Sequence, residues 1–477
     1  MRTTPNDAAC NEFYSASWTR RDALRAGALA LTGLGLPELF VGRAAASGTL
    51  RGAGTRPATT GASGFGRAKS CIVIFQWGGP SQLDTWDPKP DAPLEIRGAF
   101  RAIETRVPGI RISEHFPNLA SQTHRTTIIR SMTHDDPAHL SSAHRVLTGH
   151  LAPRPFSDAA GPSPQDSPHL GALVARLRPN RGVLPSSVTM PWTVAHPAAP
   201  GGRAPGQNAG WLGRAFDPFA LEGNPNDADF RIPGLEPSAD LAPSRLRSRR
   251  SLLEELDPAS TTAKANAATS WNQAVERTLD MLMSSEARGA FRLDREDPRL
   301  RDRYGRHIHG QCLLLARRLV EAGVGLVTVN WHDDGMNFWD THGDNFNQLK
   351  NRLMPPADQG FAALLDDLDA RGLLDETLVV WVGEFGRTPR TTQWGSGREH
   401  WPRCYSSVLA GGGIARGRVF GASDRYAAYP SQDPVSPDDL GATILYALGI
   451  DPARELLDPL ARPLRINTGR PLTQVFA

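Results

Sequence analysis

The chain has 477 residues, of which 40% are hydrophobic and 22% are charged, and its formal net charge is +3. These proportions are typical of a folded protein with a sizeable core and exclude a disordered or fibrous chain. The near balance of charge, without a basic run or a basic patch interleaved with aromatic residues, argues against a nucleic-acid-binding protein. The 46 glycines and 39 prolines indicate long irregular connections between elements of secondary structure.

The N-terminal segment has the pattern of an export signal. Arg20 and Arg21 precede a mildly apolar run at 26–41, and small residues follow it. A structural helix could carry the same run, but the run is shorter than the 18 or more residues that a membrane span needs. We therefore predict a twin-arginine signal peptide over 1–46, which binds the twin-arginine translocase during export, and a flexible tether over 47–69. The mature protein is then periplasmic or otherwise extracytoplasmic, with no stable membrane span.

Apolar runs alternate with helical patterns along the remaining chain. The first run, at 71–77, is continuous and ends at two glycines and a proline, which is typical of a strand buried on both faces of a parallel sheet. The alternation predicts one α/β domain over 70–477, with a doubly wound, mostly parallel sheet and helices on both faces. Further strands are predicted at 126–130, 187–190, 324–331, 377–383 and 405–411, and helices at 251–286, 305–322, 357–371 and, from an N-cap at Ser436, to Gly449.

The stretch at 151–248 differs from the rest of the predicted domain. It is rich in proline, glycine and arginine and has only short strand or helix signals. Structureless loops of this length are uncommon inside compact domains. We therefore predict an elaborated insertion that covers one side of the sheet.

Histidines and carboxylates cluster directly after four of the predicted strands. Ligands of open α/β sheets bind outside the carboxyl ends of the strands, so these loops are expected to meet at one edge. A single such loop could be a solvated turn with helix-capping aspartates, but four converging loops weaken that explanation. Imidazole and carboxylate groups together suit zinc, manganese or iron. The side chains are Asp84 and Asp87; His134, Asp135, Asp136, His139, His144 and His150; His332, Asp333, Asp334, Asp340, His342 and Asp344; and Glu384, Arg387, Arg398 and His400.

This combination of groups suggests hydrolysis of an ester. Two divalent ions bridged by a carboxylate could hold an ester oxyanion and its nucleophile. Arg387 or Arg398 could neutralise the charge of a phosphate or sulfate. The arginine that we expect to contribute to catalysis is Arg387.

Four short segments carry a family resemblance: WDTHGDNF at 339–346, GEFGRTP at 383–389, GREHWP at 397–402 and LAGGGIARGRVFG at 409–421. On these segments the chain resembles the domain of unknown function 1501 family, within the alkaline phosphatase superfamily of sulfatase-like metallohydrolases. The resemblance implies an alkaline-phosphatase-like fold and one or two divalent ions, with zinc or manganese expected. It also implies a small-molecule or polysaccharide ester of phosphate or sulfate as substrate.

The resemblance also assigns metal ligands to positions of this chain. Asp340 and His342 are similar to an aspartate and histidine that bind one ion, although they are two residues apart where relatives have four. Glu384 stands where relatives have the aspartate of an Asp-His pair, and Phe385 replaces the histidine. The implied ligands are Asp84, with Asp87 as its alternative, Asp340, His342, Glu384 and His400.

The position of the nucleophile departs from the family pattern. Relatives have serine, threonine or a formylglycine-forming cysteine nine residues before a Thr-Gly pair, and counting back from Thr148 leads to His139. Histidine cannot form the usual alkoxide, so the sulfatase reaction in its usual form is excluded. His139 could be a metal ligand, a general acid or base, or a phospho-accepting nucleophile.

Two functions remain open from the sequence. The first is an exported metal-dependent hydrolase of phosphate or sulfate esters, with His139 and Arg387 as catalytic residues. The second is a non-catalytic member of the same fold, a metal-stabilised binding or envelope-structural protein. The missing ligand at Phe385 favours the second function, whereas the clustering of histidines and acids favours the first, because such groups are costly to bury unless a metal satisfies them.

Overall fold

The computed structural model describes residues 63–477 except for 181, 197, 200–201, most of 233–279, 282, 332–338 and 393–396. The predicted signal peptide, residues 47–62 of the tether and most of the helix predicted at 251–286 lie outside the described residues. The candidate site residues His332, Asp333 and Asp334 lie outside them as well.

Within the described part of the chain, eight strands form one sheet in the order β8-β2-β7-β6-β1-β5-β3-β4. β7 is antiparallel to both of its neighbours, and the other pairings are parallel. The prediction of a mostly parallel sheet is therefore confirmed. The strands are β1 Ser70–Phe75, β2 Thr126–Met132, β3 Ser187–Met190, β4 Phe219–Ala220, β5 Leu326–Asn330, β6 Thr377–Val382, β7 Tyr405–Ala410 and β8 Arg418–Phe420.

Helices cover both faces of this sheet, because alternate side chains of each strand point to opposite faces. Ile72 and Ile74 of β1 pack in a core cluster with α7 and α9. Val73 and Phe75 pack in a second cluster with α3, α4 and α10. The described helices are α1 Leu94–Arg97, α2 Pro117–Gln122, α3 His139–Thr148, α4 Leu170–Leu177, α5 Ser285–Ala290, α6 Pro298–Tyr304, α7 Ile308–Glu321, α8 Asn345–Gln348, α9 Met354–Ala370 and α10 Pro437–Ala447.

Helix α10 begins where the sequence predicts. The Ser436 side chain accepts from Asp439 N–H, and the Asp439 carboxylate accepts from Ser436 N–H, which is a reciprocal capping box. Pro437 occupies the first turn, where its missing N–H leaves no hydrogen bond unmade.

The segment at 151–248, which we expected to cover one side of the sheet, also supplies part of the sheet itself. β3 and β4 come from this segment and form one edge of the sheet, and α4 packs against β3 and β5. In the described residues, no helix has both the length and the apolar character to cross a bilayer.

Candidate metal centre

The candidate site lies at the carboxyl edge of the sheet, where the loops after β1, β5 and β6 approach one another. Gly78 N–H, after β1, donates to Glu384 Oε1, after β6, at 2.8 Å. Gly78 has a φ of +107°, and a Cβ on it would lie 2.3 Å from the Asp340 backbone nitrogen, so glycine is needed for this approach. Helix α3 adds a fourth contribution because it begins at His139, shortly after β2. The four loops therefore meet as the topology predicts.

Four side chains at this edge form a compact group of potential ligands. His139, Asp340, His342 and His400 each offer one ligand atom, and these atoms all lie within 4.8 Å of one another. His342 Nε2 is 2.9 Å from both His400 Nε2 and Asp340 Oδ1. His139 Nε2 is buried without a hydrogen bond in the described structure and lies 3.4 Å from Asp340 Oδ2. We refer to these four residues as the centre.

Each imidazole of the centre has its other ring nitrogen held by an oxygen. An oxygen that accepts a hydrogen bond from Nδ1 places the proton of the neutral imidazole on Nδ1. The lone pair of Nε2 is then available to the centre. Metal-bound histidines typically have such a partner, which fixes tautomer and ring orientation. Three oriented imidazoles and a carboxylate suit zinc or manganese, so the residues present fit a divalent ion. The pairs are His139 Nδ1 with Glu384 Oε1 at 2.6 Å, His342 Nδ1 with Glu399 Oε2 at 2.5 Å, and His400 Nδ1 with Pro137 O at 2.8 Å.

The electrostatic field of the centre favours positive charge. Burial lowers the pKa of His139, but its interactions with Asp340 and Glu384 outweigh burial and raise that pKa to about 9. Burial raises the pKa of Asp340, but the three histidines and Arg387 outweigh it and hold the pKa well below its ordinary value. Both directions mean that a cation at this position is stabilised by the surrounding carboxylates.

Glu384 is fully buried and supports His139 instead of joining the centre. Its Oε1 contacts both Gly78 N–H and His139 Nδ1, and Glu384 is outside the group of four ligand atoms. Phe385, which replaces an expected histidine, packs its ring 4.9 Å from that of His139 and 4.6 Å from that of His400. Among the described residues, the centre is the one cluster with three or more candidate ligands.

Arg387 is buried and donates to protein acceptors. Its Nε donates to Gly79 O at 2.9 Å, and its Nη2 donates to Gly78 O and, at 2.5 Å, to Asp340 Oδ1. We expected this guanidinium to neutralise a substrate anion. The structure places it instead where it anchors the carboxylate of Asp340 and joins it to the loop after β1.

Asp84, expected as a metal ligand, lies outside the centre. It forms a fully buried ion pair with Arg398, whose Nε is 2.7 Å from Asp84 Oδ2. The same oxygen accepts from Ser81 Oγ at 2.6 Å and from Asn345 Nδ2 at 2.9 Å. Asp87, its alternative, pairs with Lys89 at 2.9 Å. We refer to Asp84, Arg398, Ser81 and Asn345 as the Asp84 network.

The centre is open on one side. The side chains of His342, Asp340 and His400 are 40%, 32% and 21% exposed, whereas that of His139 is 5% exposed. An ion held there would be accessible from solvent.

Sequence reasoning missed two neighbours of the centre. Glu399 lies inside the GREHWP segment, and its position beside a histidine could have suggested a supporting role. His196 lies in the segment at 151–248 and has its ring centroid 5.7 Å from that of His139. No spacing or motif around His196 connects it to the other loops.

The sequence model of a family described as "Protein of unknown function (DUF1501)" matches residues 68–476. The chain therefore belongs to this family. A search of curated proteins found no match.

The chain is similar to several solved structures at low identity. The PsFucS1 sulfatase from Pseudoalteromonas sp. is 15% identical, with 81% of this chain and 68% of that chain covered and a TM-score of 0.36. A protein in the alkaline phosphatase superfamily from Vibrio parahaemolyticus is 11% identical, with coverages of 87% and 71% and a TM-score of 0.37. The periplasmic domain of EcEptC from Escherichia coli, in complex with Zn, is 11% identical, with coverages of 86% and 91% and a TM-score of 0.31.

Proposed function

We propose that the protein is an exported metal-dependent hydrolase of phosphate or sulfate esters, with one divalent ion, zinc or manganese, bound by His139, Asp340, His342 and His400. The observation that carries the proposal is the orientation of the three imidazoles. Their Nδ1 atoms are occupied by oxygen acceptors while their ligand atoms lie within 4.8 Å of one another. Without a cation, three Nε2 atoms would face one carboxylate, an arrangement that only protons or a metal can satisfy.

A bound divalent ion supplies Lewis-acid polarisation of an ester oxygen. Other residues of this chain hold and orient the ligands of the ion. Arg387 fixes Asp340, and Glu384 fixes His139. Phe385 forms an apolar wall beside two of the imidazoles, and the exposed side of His342 admits the substrate.

His139 serves as a ligand in this proposal, and water is the nucleophile. The Nδ1 of His139 is engaged by Glu384, and its Nε2 lies among the ligand atoms. No ring nitrogen then remains to accept a phosphoryl group. The substrate is a small-molecule or polysaccharide ester that reaches the centre outside the cytoplasm, after export through the twin-arginine translocase.

A second function, a non-catalytic metal-stabilised binding or envelope-structural protein, is favoured by the number of protein donors. Structural zinc sites have four protein ligands, whereas catalytic sites keep one position open. The centre offers four donors. Arg387 and Arg398, which could meet a substrate anion, are buried and donate to protein oxygens.

Metal analysis and a hydrolysis panel separate these functions. Exported protein from zinc- or manganese-supplemented cells is assayed for bound metal and for hydrolysis of aryl phosphates and sulfates. We expect one ion per chain and turnover of at least one ester, both lost in His342→Ala. His124→Ala is the matched control, because His124 precedes β2 at the opposite edge of the sheet.

Each outcome decides between the functions. Protein without stoichiometric metal contradicts both of them. One ion without turnover contradicts the hydrolase and supports the non-catalytic function. Turnover that disappears in Asp340→Ala while the fold is retained contradicts the non-catalytic function.

A further inference from the structure

The proposed hydrolase needs a hydrogen-bond donor for the substrate anion that neither arginine supplies. Arg387 and Arg398 are fully buried. Their side chains donate to backbone carbonyls and to Asp340 and Asp84. A tetrahedral oxyanion beside the centre carries oxygens that require donors from elsewhere in the chain.

His196 brings an imidazole to the centre from a separate part of the fold. Its ring centroid is 5.7 Å from that of His139 and 6.4 Å from that of Trp77. Trp77 is itself buried and lies 5.6 Å, between centroids, from His139. The Trp77 indole therefore packs against both imidazoles, which also lie next to each other.

The described residues around His196 are held by hydrogen bonds within the segment. Ala204 N–H donates to Val194 O at 3.0 Å. The buried Gln207 amide accepts from Val194 N–H at 2.7 Å and donates to Val194 O at 3.0 Å and Ala204 O at 2.8 Å. His196 N–H also donates to Gly202 O at 3.2 Å. These hydrogen bonds hold the backbone at Val194 and His196 in a defined place, as a binding residue requires.

The tautomer of His196 leaves a donor available. Ala198 N–H donates to His196 Nδ1 at 3.2 Å, so Nδ1 is an acceptor and the proton of the neutral ring is on Nε2. The residue is partly exposed, in contrast to the buried His139. His196 is also outside the group of four ligand atoms, so ligation does not occupy Nε2.

The geometry points to His196 as a substrate-contacting residue, whose Nε2–H donates to a non-bridging oxygen of a phosphate or sulfate group at the centre. This inference rests on the proposed function and adds a specificity role for the segment at 151–248. The ligand class is a tetrahedral oxyanion or its ester, with the imidazole of His196 lining the site on the side of His139.

The test measures binding of inorganic phosphate to the metal-loaded exported protein by calorimetry, together with KM and kcat for the best ester of the panel. We expect His196→Ala to weaken phosphate binding and raise KM by about tenfold, the value of one hydrogen bond to a charged group. Its metal stoichiometry should remain that of the wild type. His196→Gln should recover much of the binding, because its amide N–H can replace Nε2–H. A merely structural role for His196 would not give this recovery.

The possible results separate this inference from the proposed function. Unchanged phosphate affinity and KM in His196→Ala, with wild-type turnover present, overturn the role of His196 alone. Loss of metal in His196→Ala overturns it as well, because the residue then supports the ion. A metal-loaded wild type that neither binds phosphate nor hydrolyses any ester overturns the proposed function and this inference with it. His124→Ala again serves as the control and should match the wild type.

Discussion

The centre and the Asp84 network lie at the same edge of the sheet and use similar residue types, yet their charges are balanced differently. In the Asp84 network the carboxylate is buried, paired with a guanidinium 2.7 Å away and supplied with two neutral donors. In the centre, one carboxylate meets three imidazoles whose Nδ1 atoms already have acceptors, and one side is open. A closed network leaves an uncompensated buried charge when one partner is removed, whereas an open group with directed lone pairs is suited to a ligand.

The largest expected effect comes from breaking the closed network. Arg398→Met removes the cation beside Asp84 and should lower the free energy of unfolding by about 3–5 kcal/mol, because an unpaired charge stays buried. Chemical denaturation measures this loss. The folded fraction should still bind one ion, since Arg398 makes no contact with the centre in the described hydrogen bonds and ion pairs.

Arg416→Ala is the control for that substitution. Arg416 pairs with Asp375 at 2.6 Å on the surface, with both side chains substantially exposed. Its loss should cost about 0–1 kcal/mol. If Arg398→Met lowered the free energy of unfolding by a similarly small amount, the Asp84 network would not be closed and balanced.

A second prediction contrasts His139 with His169. The His169 side chain is equally buried, but its surroundings disfavour the charged form of the imidazole. Burial lowers the pKa of His169 to about 4, whereas the pKa of His139 is raised to about 9. Between pH 6.5 and 4 the unfolded chain binds a proton at His169 that the folded chain does not, so stability falls as pH decreases. By pH 4, His169 lowers the free energy of unfolding by about 3 kcal/mol.

His169→Asn isolates that contribution. His169 Nδ1 accepts from Gly171 N–H at 2.9 Å at the start of α4, and asparagine can keep this cap. The free energy of unfolding of the variant should decrease less between pH 7 and pH 4 than that of the wild type. Parallel pH profiles for the two proteins would contradict the buried, neutral state of His169.

Metal removal tests the centre, which is the open one of the two regions. With free metal at about 100 times its Kd, the ion should add about 2.7 kcal/mol to the free energy of unfolding. Dialysis against a chelator should therefore lower the melting temperature, and zinc or manganese should restore it. Asp340→Asn should show a smaller response to the chelator. A wild type that melts at the same temperature with and without metal would argue against a bound ion.

The smallest expected effects concern the two carboxylates that hold imidazoles of the centre. Glu384→Gln should weaken metal binding by about 10- to 100-fold, the usual cost of losing the partner of a metal-bound histidine. Glu399→Gln should lie at the low end of that range, because Glu399 is 55% exposed and Glu384 is fully buried. Chelator competition measures both affinities. A larger loss in Glu399→Gln would reverse the ranking by burial.

Much of the fold was predictable because strands buried on both faces leave continuous apolar runs. The strands at 71–77, 324–331 and 377–383 correspond to β1, β5 and β6. Two other elements were not predictable from such patterns. β7 has the same kind of apolar run but is antiparallel, and direction depends on neighbours that the run itself does not encode. Helix α3 was missed because polar residues such as Ser142 and His144 are buried in it and obscure the helical period.

The ligand types were also predictable, but their grouping was not. Asp340, His342 and His400 were expected as ligands, and the structure brings them together with His139. Asp84 and Glu384 follow strands in the same way, yet one is neutralised by Arg398 and the other is held by Gly78 and His139. Shifts of a few ångströms between loops that are distant in sequence decide whether a carboxylate contacts a guanidinium or an imidazole.

The sequence by itself determined the α/β class, the edge of the sheet where chemistry could occur and the residue types available there. These properties follow from local hydrophobic patterns and from the rule that loops after parallel strands share one edge. Only the tertiary structure decided that Arg387 anchors Asp340, that Asp84 is closed off by Arg398, and that His196 reaches the centre from a separate segment. The energies of ion pairs and ring contacts fall off over a few ångströms, so they depend on where the side chains lie in the folded protein. They therefore produce no periodic pattern in the sequence.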